Sequence, residues 1–252
     1  MGFADGLFDL TDRVVVVTGG SRGLGRAMVL ACAQAGADVV VASRKLDSCQ
    51  AVCDEVTATT GRAAVAYAVH AGRWDEGPGL IDATYERFGR LDVLINNAGK
   101  QPVYPSLGEV SEALFDSIVD INMKGPFRLA VLAGERMVAE GRPGSIINIS
   151  STGSLRPNAG IAPYAMAKAG LNAMTEALAS AFGPTVRVNT LMPGPFATDA
   201  TAAWSDNPGA FQHFALQRIG QPPEIVGAAL FFASDASSYT TGALLRVDGG
   251  IP

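Results

Sequence analysis

Short runs of apolar residues recur along the chain, separated by longer stretches in which the hydrophobic positions are spaced differently. The short runs are rich in β-branched side chains and are bounded by Gly, Pro, Asn or Asp, a pattern typical of buried β-strands. The pattern predicts seven strands, at residues 14–17, 38–42, 63–69, 91–96, 145–150, 186–191 and 243–247.

The longer stretches have helical periodicity and predict helices at residues 24–35, 46–59, 75–88, 111–139, 164–182 and 223–234. Strands that alternate with helices form parallel sheets covered on both faces. We therefore expect an α/β fold with a doubly wound, seven-stranded parallel sheet, in a single domain spanning residues 1–252. The long irregular segment 195–222 is a candidate lid over a substrate.

Composition narrows the choice of partners. The net charge of −5 and the pI near 5.0 disfavour nucleic acid and anionic membrane surfaces, so we expect a small-molecule partner. No basic leader or long apolar run is evident, which favours a cytoplasmic location. The chain has three cysteines, Cys32, Cys49 and Cys53. Because this number is odd and no histidine is near them in the sequence, we expect free thiols and no metal site.

A glycine-rich stretch, TGGSRGLG at residues 18–25, links the first strand to the first helix. Gly19, Gly23 and Gly25 permit a tight turn and a close approach of the backbone to a ligand, and the first amides of the helix favour an anion. Ser21, Arg22 and Leu24 complete this candidate phosphate loop. Its spacing is not G-x-G-x-x-G, and an ordinary glycine-rich connection is the alternative.

The end of the second strand bears on which dinucleotide would bind. It reads VASRKLD, with Ser43 and Arg44 where dinucleotide folds that prefer NAD place an acid, and no acid occurs before Asp47. Arg44 and Arg22 could pair with a 2′-phosphate, whereas the alternative is two solvated arginines. The expectation is NADP(H) in preference to NAD(H), with NAD(H) still possible.

Tyr164 and Lys168 stand one helical turn apart in PYAMAK, so their side chains can share one face of a helix. A phenol is a weak acid, and a neighbouring cation is expected to lower the pKa of Tyr164 towards the working range. Ser151, at the end of the fifth predicted strand, could hydrogen-bond a substrate carbonyl at the ligand-binding edge of the sheet.

Seven motifs together resemble the short-chain dehydrogenase/reductase family. They are TGGSRGLG, NNAG at 96–99, Asn122 in INMKGPF, ISS, YAMAK, PGPFAT at 193–198 and the terminal VDGG. The resemblance runs from about residue 8 to residue 250. The resemblance implies the strand order 3-2-1-4-5-6-7. It also implies a homotetramer and an oxidoreductase that interconverts an alcohol and a ketone or aldehyde.

The resemblance also implies roles for individual residues. Tyr164 would be the general acid or base, Ser151 would hold the carbonyl, Lys168 would lower the pKa of the phenol and bind the nicotinamide ribose, and Asn122 would anchor a proton relay. Further cofactor contacts would come from Asn97, Ala98, Gly99, Pro193, Gly194, Phe196 and Thr198. Alternatively, NNAG is a turn that stabilises the sheet, and Asn122 caps or kinks its helix.

One position departs from the family pattern. After the third strand the family has Asp followed by an aliphatic residue, which holds adenine, whereas this chain has His70 and Ala71. His70 could contact the adenine base, or it could be a partly buried histidine whose hydrogen bonds go to the backbone.

The substrate is less well defined. The lid segment offers Phe196, Trp204, Phe211, His213 and Phe214, which would either line an apolar pocket or simply pack the lid. Relatives that reduce 3-oxoacyl groups on acyl carrier protein need a basic docking patch, and this chain has no Lys or Arg from Ala169 to Val186. That activity and a catalytically silent cofactor sensor are the alternatives.

Overall fold

The computed structural model describes residues 6–201 and 208–252, in which seven strands form one sheet. The strands are β1 (Val14–Thr18), β2 (Asp38–Ser43), β3 (Ala64–Ala68), β4 (Val93–Asn96), β5 (Gly144–Ile149), β6 (Val186–Pro193) and β7 (Leu244–Val247). Their order is β3-β2-β1-β4-β5-β6-β7 and every pairing is parallel, which confirms the expected fold and strand order.

Helices cover both faces of this sheet. They are α1 (Gly23–Gln34), α2 (Leu46–Thr60), α3 (Gly77–Phe88), α4 (Glu112–Val119), α5 (Gly125–Ala139), α6 (Ala162–Phe182) and α7 (Val226–Ala233). Helices α2 and α3 end at Gly61 and Gly89, which adopt the left-handed conformation that glycine accepts without steric cost.

Strand β1 shows why the apolar runs are continuous rather than alternating. Val15 and Val17 belong to a hydrophobic cluster on one face of the sheet, whereas Val16 belongs to a cluster on the other face, and all three are fully buried. A strand covered on both sides needs apolar residues at every position.

The single helix predicted over residues 111–139 is wrong in one respect. A π-helical turn, Asp120–Lys124, separates α4 from α5 and contains Asn122. Gly125, directly after this turn, lies so close to the chain at Ala71 that a Cβ atom would overlap its carbonyl oxygen. This close contact between the start of α5 and the segment after β3 lies directly beside the π-helical turn. Such turns are frequent at functional sites.

The candidate lid is closed at its base by a bridge between Phe196 and Gly220. Phe196, Phe211 and Phe214 are each less than a tenth exposed, so these aromatic rings pack within the protein. Residues 202–207, which include Trp204, lie outside the described part of the chain. Among the described residues, no helix combines the length and apolar character needed to cross a bilayer.

Candidate active site

The glycine loop has the geometry of an anion cradle at the carboxyl end of β1. Gly19 and Gly23 have φ angles of 64° and 54°, and a Cβ atom at Gly25 would overlap the carbonyl oxygen of Gly19. Helix α1 begins at Gly23 with no side-chain cap and no acid in its first turn. Its first amides are therefore available to an anionic group, and the loop fits a pyrophosphate. Ser21 and Leu24 are half-buried in this loop.

The NNAG motif is tied to this loop by hydrogen bonds. The Asn97 side chain donates to the carbonyl oxygens of Thr18 and Gly19, at 2.9 and 3.2 Å. The amides of Asn97 and Ala98 donate to the Thr18 hydroxyl, at 3.0 and 3.1 Å. The motif thus has the stabilising role that sequence reasoning gave as the alternative, and it holds the loop at the sheet's ligand-binding edge.

Positive charge lies at the end of β2. Arg44 is exposed, and within the described residues no hydrogen bond or ion pair engages its guanidinium. Arg22 is also largely exposed and lies 3.5 Å from the carboxylate of Asp199. The Ser43 hydroxyl lies 3.0 Å from the Cys49 sulfur. Arg44 is therefore better placed than Arg22 to receive a phosphate group.

His70 is half-buried beyond β3, where it contacts Gly72 and Glu76. Its Nδ1 accepts a hydrogen bond from the amide of Gly72 at 3.3 Å, and its own amide donates to Glu76 at 2.6 Å. The contact between the ring and the Gly72 amide matches the alternative of a histidine satisfied by backbone. It leaves Nε2 as the ring nitrogen that could meet a ligand.

The candidate reacting groups come together at the carboxyl end of β5. Pro163 lies in the first turn of α6, where its missing N–H costs nothing, and Tyr164 follows it. Ser151 follows β5, and its hydroxyl accepts a hydrogen bond from the amide of Gly153 at 3.1 Å. The same hydroxyl lies near the phenol of Tyr164 and favours its ionised form.

Burial raises the pKa of Tyr164, and the Ser151 hydroxyl partly opposes that increase. In the protein without ligand the pKa of Tyr164 is therefore set by burial and by Ser151, and a lowering of that pKa by Lys168 stays a prediction. The Lys168 nitrogen lies 5.9 Å from the centre of the tyrosine ring. The phenol is protonated near neutral pH and is ready to donate a proton.

Lys168 is almost completely buried, and burial lowers its pKa to about 7. Its nitrogen donates a hydrogen bond to the carbonyl oxygen of Ile149 at 2.7 Å. The lysine thus connects α6 to the last residue of β5. The segment that follows this strand carries Ser151 and is called the serine loop.

Asn122 reaches the same region from the π-helical turn. Its side-chain nitrogen donates to the carbonyl oxygens of Lys100 and Ile118, at 2.8 and 3.0 Å. A Cβ atom on Gly99 would lie 2.8 Å from the Asn122 oxygen and 3.6 Å from the Lys168 nitrogen. The absence of a side chain at Gly99 keeps open the space between these two groups. The bond to Ile118 is the helix-capping contact that was the alternative for Asn122.

The segment after β6 passes near the glycine loop. A Cβ atom on Gly23 would lie 3.4 Å from the Thr198 methyl carbon, so the two segments border one groove. Pro193 ends β6, and Gly194 donates its amide to Val247 at 3.0 Å. The Phe196 side chain is only 4% exposed and packs in the core. Phe196 could therefore meet a cofactor chiefly through its backbone.

Sequence reasoning missed a buried polar network beneath the site. Asn96 donates to Asn148 at 3.0 Å, Asn148 donates to Thr175 at 3.0 Å, and Thr190 donates to Thr175 at 2.8 Å. The available signal was the presence of polar residues at the ends of strands whose other positions are apolar. The network fastens β4, β5 and β6 to α6.

Comparison with known proteins agrees with this geometry. Residues 19–252 match the family model described as enoyl-(acyl carrier protein) reductase. The chain is 37% identical to an L-rhamnose 1-dehydrogenase (NAD(P)(+)) from Azotobacter vinelandii, over 96% of this chain and 97% of that protein. It is 38% identical to a 3-oxoacyl-[acyl-carrier-protein] reductase from Synechocystis, over 96% of this chain and 98% of that protein.

A solved structure from Beutenbergia cavernae has the same fold, with a TM-score of 0.90 and 34% identity, covering 97% of this chain and 98% of that one. That protein is provisionally described as an NAD(P) dependent gluconate 5-dehydrogenase, with NADP bound at low occupancy. Since both the family model and these relatives span nearly the whole chain, this protein belongs to the short-chain dehydrogenase/reductase family of NAD(P)-dependent oxidoreductases.

Proposed function

We propose that this chain acts, as a single domain, as an NADP(H)-dependent oxidoreductase that interconverts an alcohol and a ketone or aldehyde. One observation carries the proposal. Ser151, Tyr164, Lys168 and Asn122 converge at the sheet edge that also holds the glycine loop. Three separate elements supply these groups, so their convergence is a property of the fold rather than of one local motif.

In the direction of reduction, the dinucleotide would supply the hydride that reduces the carbonyl carbon when it is bound. Ser151 donates a hydrogen bond to the carbonyl oxygen and orients it. Tyr164 gives that oxygen its proton, because burial keeps the phenol protonated near neutral pH. Lys168 and Asn122 border the space beside Gly99, where Lys168 would bind the ribose and Asn122 would anchor a proton relay.

The preference for NADP(H) is supported by the exposed, unpaired guanidinium of Arg44 at the end of β2, among the residues that the structure describes. A guanidinium binds phosphate oxygens in a bidentate manner. The carboxylate of Asp199 engages Arg22, so Arg22 would have to exchange this partner to bind a 2′-phosphate. The related structure with bound NADP is consistent with this assignment.

The physiological substrate is a small carbonyl compound or alcohol in this proposal. A second candidate is reduction of a 3-oxoacyl group on acyl carrier protein, favoured by the Synechocystis relative. The absence of Lys and Arg between Ala169 and Val186 counts against a docking patch for that acidic partner on α6.

The proposal includes a homotetramer in the cytoplasm. Apolar side chains on α5 and α6 reach solvent, among them Phe127 at 40% and Met166 at 58% exposure, and such patches support association. Cys32, Cys49 and Cys53 are free thiols, as is usual in a reducing compartment.

The proposed function is tested by incubating the protein with NADPH or NADH and a panel of ketones, aldehydes, oxidised sugars and 3-oxoacyl thioesters. Oxidation of NADPH by at least one carbonyl compound, and its loss in Tyr164→Phe, is the expected result. Tight NADPH binding without turnover of any compound would instead indicate a cofactor sensor.

A further inference from the structure

A chain of hydrogen bonds links α6 to the loop that carries Ser151. The Ser154 hydroxyl donates to the main-chain oxygen of Ser151 at 2.7 Å. The side-chain nitrogen of Asn172 donates to the Ser154 hydroxyl at 2.9 Å. The loop is therefore held at the backbone of Ser151 by a side chain that comes from a long helix.

Asn172 occupies a specific place on that helix. It follows Lys168 by four residues, just as Lys168 follows Tyr164, so the three side chains lie along one face of α6. The helix thus carries the proposed proton donor Tyr164, the neighbouring Lys168, and Asn172, whose side-chain amide reaches the serine loop. A rigid helix is a more accurate support for such a loop than another loop would be.

The energetics of Asn172 argue against a role in stability alone. Asn172 is only 8% exposed, and its side-chain oxygen has no hydrogen-bond partner in the part of the chain that the structure describes. A buried polar atom without a partner destabilises the folded protein, because it loses its hydrogen bonds to water and gains none in return. A leucine of similar size would avoid that cost, so the asparagine is retained at some expense in stability.

We propose that Asn172 and Ser154 are positioning residues that fix Ser151 against Tyr164 and the substrate carbonyl. This inference rests on the proposed function, because it assigns a purpose to the orientation of Ser151. The hydroxyl of Ser151 carries one proton, which it can donate either to the phenol of Tyr164 or to a carbonyl oxygen, so its direction matters. It stands directly before a short 3₁₀ turn, Thr152–Ser154. A displacement of about 1 Å at such a position can cost about a hundredfold in rate.

The test is a double-mutant cycle on NADPH-dependent reduction of whichever carbonyl compound in the panel is reduced fastest. Asn172→Leu and Ser154→Ala should each lower kcat about tenfold to a hundredfold, with little change in the KM for NADPH. Both substitutions should have almost no further effect when combined with Ser151→Ala, because their influence passes through that residue. The melting temperature of Asn172→Leu should equal or exceed that of the wild type.

Thr175→Val is the matched control on the same helix. Thr175 is fully buried, but its hydroxyl bonds to Asn148 and Thr190 rather than to the serine loop. Any effect of Thr175→Val on kcat should therefore have the same size in the wild type and in the Ser151→Ala background. An independent readout is amide hydrogen exchange at Gly153, which should become faster in Asn172→Leu.

Tyr164→Phe separates the two possible failures. If Tyr164→Phe keeps wild-type activity, the proposed function is wrong and this inference fails with it. If Tyr164→Phe is inactive, the proposed function stands and the positioning role can fail by itself. It is overturned if Asn172→Leu and Ser154→Ala lower kcat by the same factor in the wild type and in the Ser151→Ala background. It is also overturned if they leave both kcat and Gly153 exchange unchanged.

Discussion

The side-chain nitrogen of Lys168 lies 5.9 Å from the centre of the Tyr164 ring, while its hydrogen bond goes to the carbonyl oxygen of Ile149. The lysine therefore stands beside the tyrosine without being its hydrogen-bond partner. Burial acts on the two groups in opposite directions, raising the pKa of Tyr164 and lowering that of Lys168 to about 7. In both cases burial favours the uncharged form.

Because Lys168 is buried, we expect it to lower the free energy of unfolding although the proposed activity needs it. Its folded-state pKa of about 7 lies below the ordinary value of 10.5, so the folded protein binds fewer protons than the unfolded chain between these values. As pH falls from about 9 to about 7, the wild type should lose about 2 kcal/mol of stability relative to Lys168→Met. Urea unfolding at both pH values measures this difference.

Lys168→Met should also lower activity at least about a hundredfold, since it removes the side chain proposed to bind the nicotinamide ribose and the amine beside Tyr164. Lys124→Met is the control, because Lys124 is exposed and pairs with Asp120 at the surface. A stability difference between Lys168→Met and wild type that is the same at both pH values would contradict the assignment of a lowered pKa.

The raised pKa of Tyr164 predicts the pH dependence of the two reaction directions. Alcohol oxidation needs the phenolate, so its kcat/KM should rise with pH across the neutral range, whereas carbonyl reduction should not. Ser151→Ala should move the oxidation profile to higher pH, because the Ser151 hydroxyl opposes the effect of burial. Initial rates measured over a pH series in both directions test this, and an oxidation profile independent of pH would refute it.

The glycine loop predicts loss of cofactor affinity in Gly25→Ala. The added Cβ atom would overlap the carbonyl oxygen of Gly19, which must shift and carry the loop with it. We expect NADPH affinity, measured by cofactor fluorescence, to fall at least about tenfold. Gly227→Ala is the control, since the added carbon there would meet no described atom within 4 Å apart from its chain neighbours and the backbone of its own helix. Equal NADPH affinity in the two variants would exclude the loop as the pyrophosphate site.

Arg44→Asp should reverse the cofactor preference. The substitution removes the guanidinium proposed for the 2′-phosphate and introduces an acid that can accept hydrogen bonds from ribose hydroxyls. The ratio of kcat/KM for NADPH to that for NADH should fall about a hundredfold. Arg87→Asp makes the same change in net charge on α3 and should leave the ratio unchanged. An unchanged ratio in Arg44→Asp would refute the role of Arg44.

Much of the fold could be predicted from the sequence because its signals are local. The run of buried valines in β1 and the glycine ends of α2 and α3 each follow from nearby residues. The strand order came from resemblance to a family rather than from the pattern of strands, because pairing between distant strands leaves no local trace.

The details that sequence reasoning missed depend on contacts between distant residues. The π-helical turn at Asn122 accompanies the packing of Gly125 against Ala71. The link from Asn172 to Ser154 joins a helix to a loop 18 positions earlier. The raised pKa of Tyr164 required the burial of its ring, which a spacing of four residues to Lys168 does not reveal.

The central claim is that Tyr164 supplies the proton while the cofactor supplies the hydride. It is tested most directly with NADPH deuterated at the transferable C4 position, comparing wild type with Tyr164→Phe on the carbonyl compound that is reduced fastest. We predict that deuterium appears on the carbinol carbon with the wild type, and that Tyr164→Phe binds NADPH normally but forms product at least about a thousandfold more slowly. Product without deuterium, or a wild-type rate in Tyr164→Phe, would contradict the account.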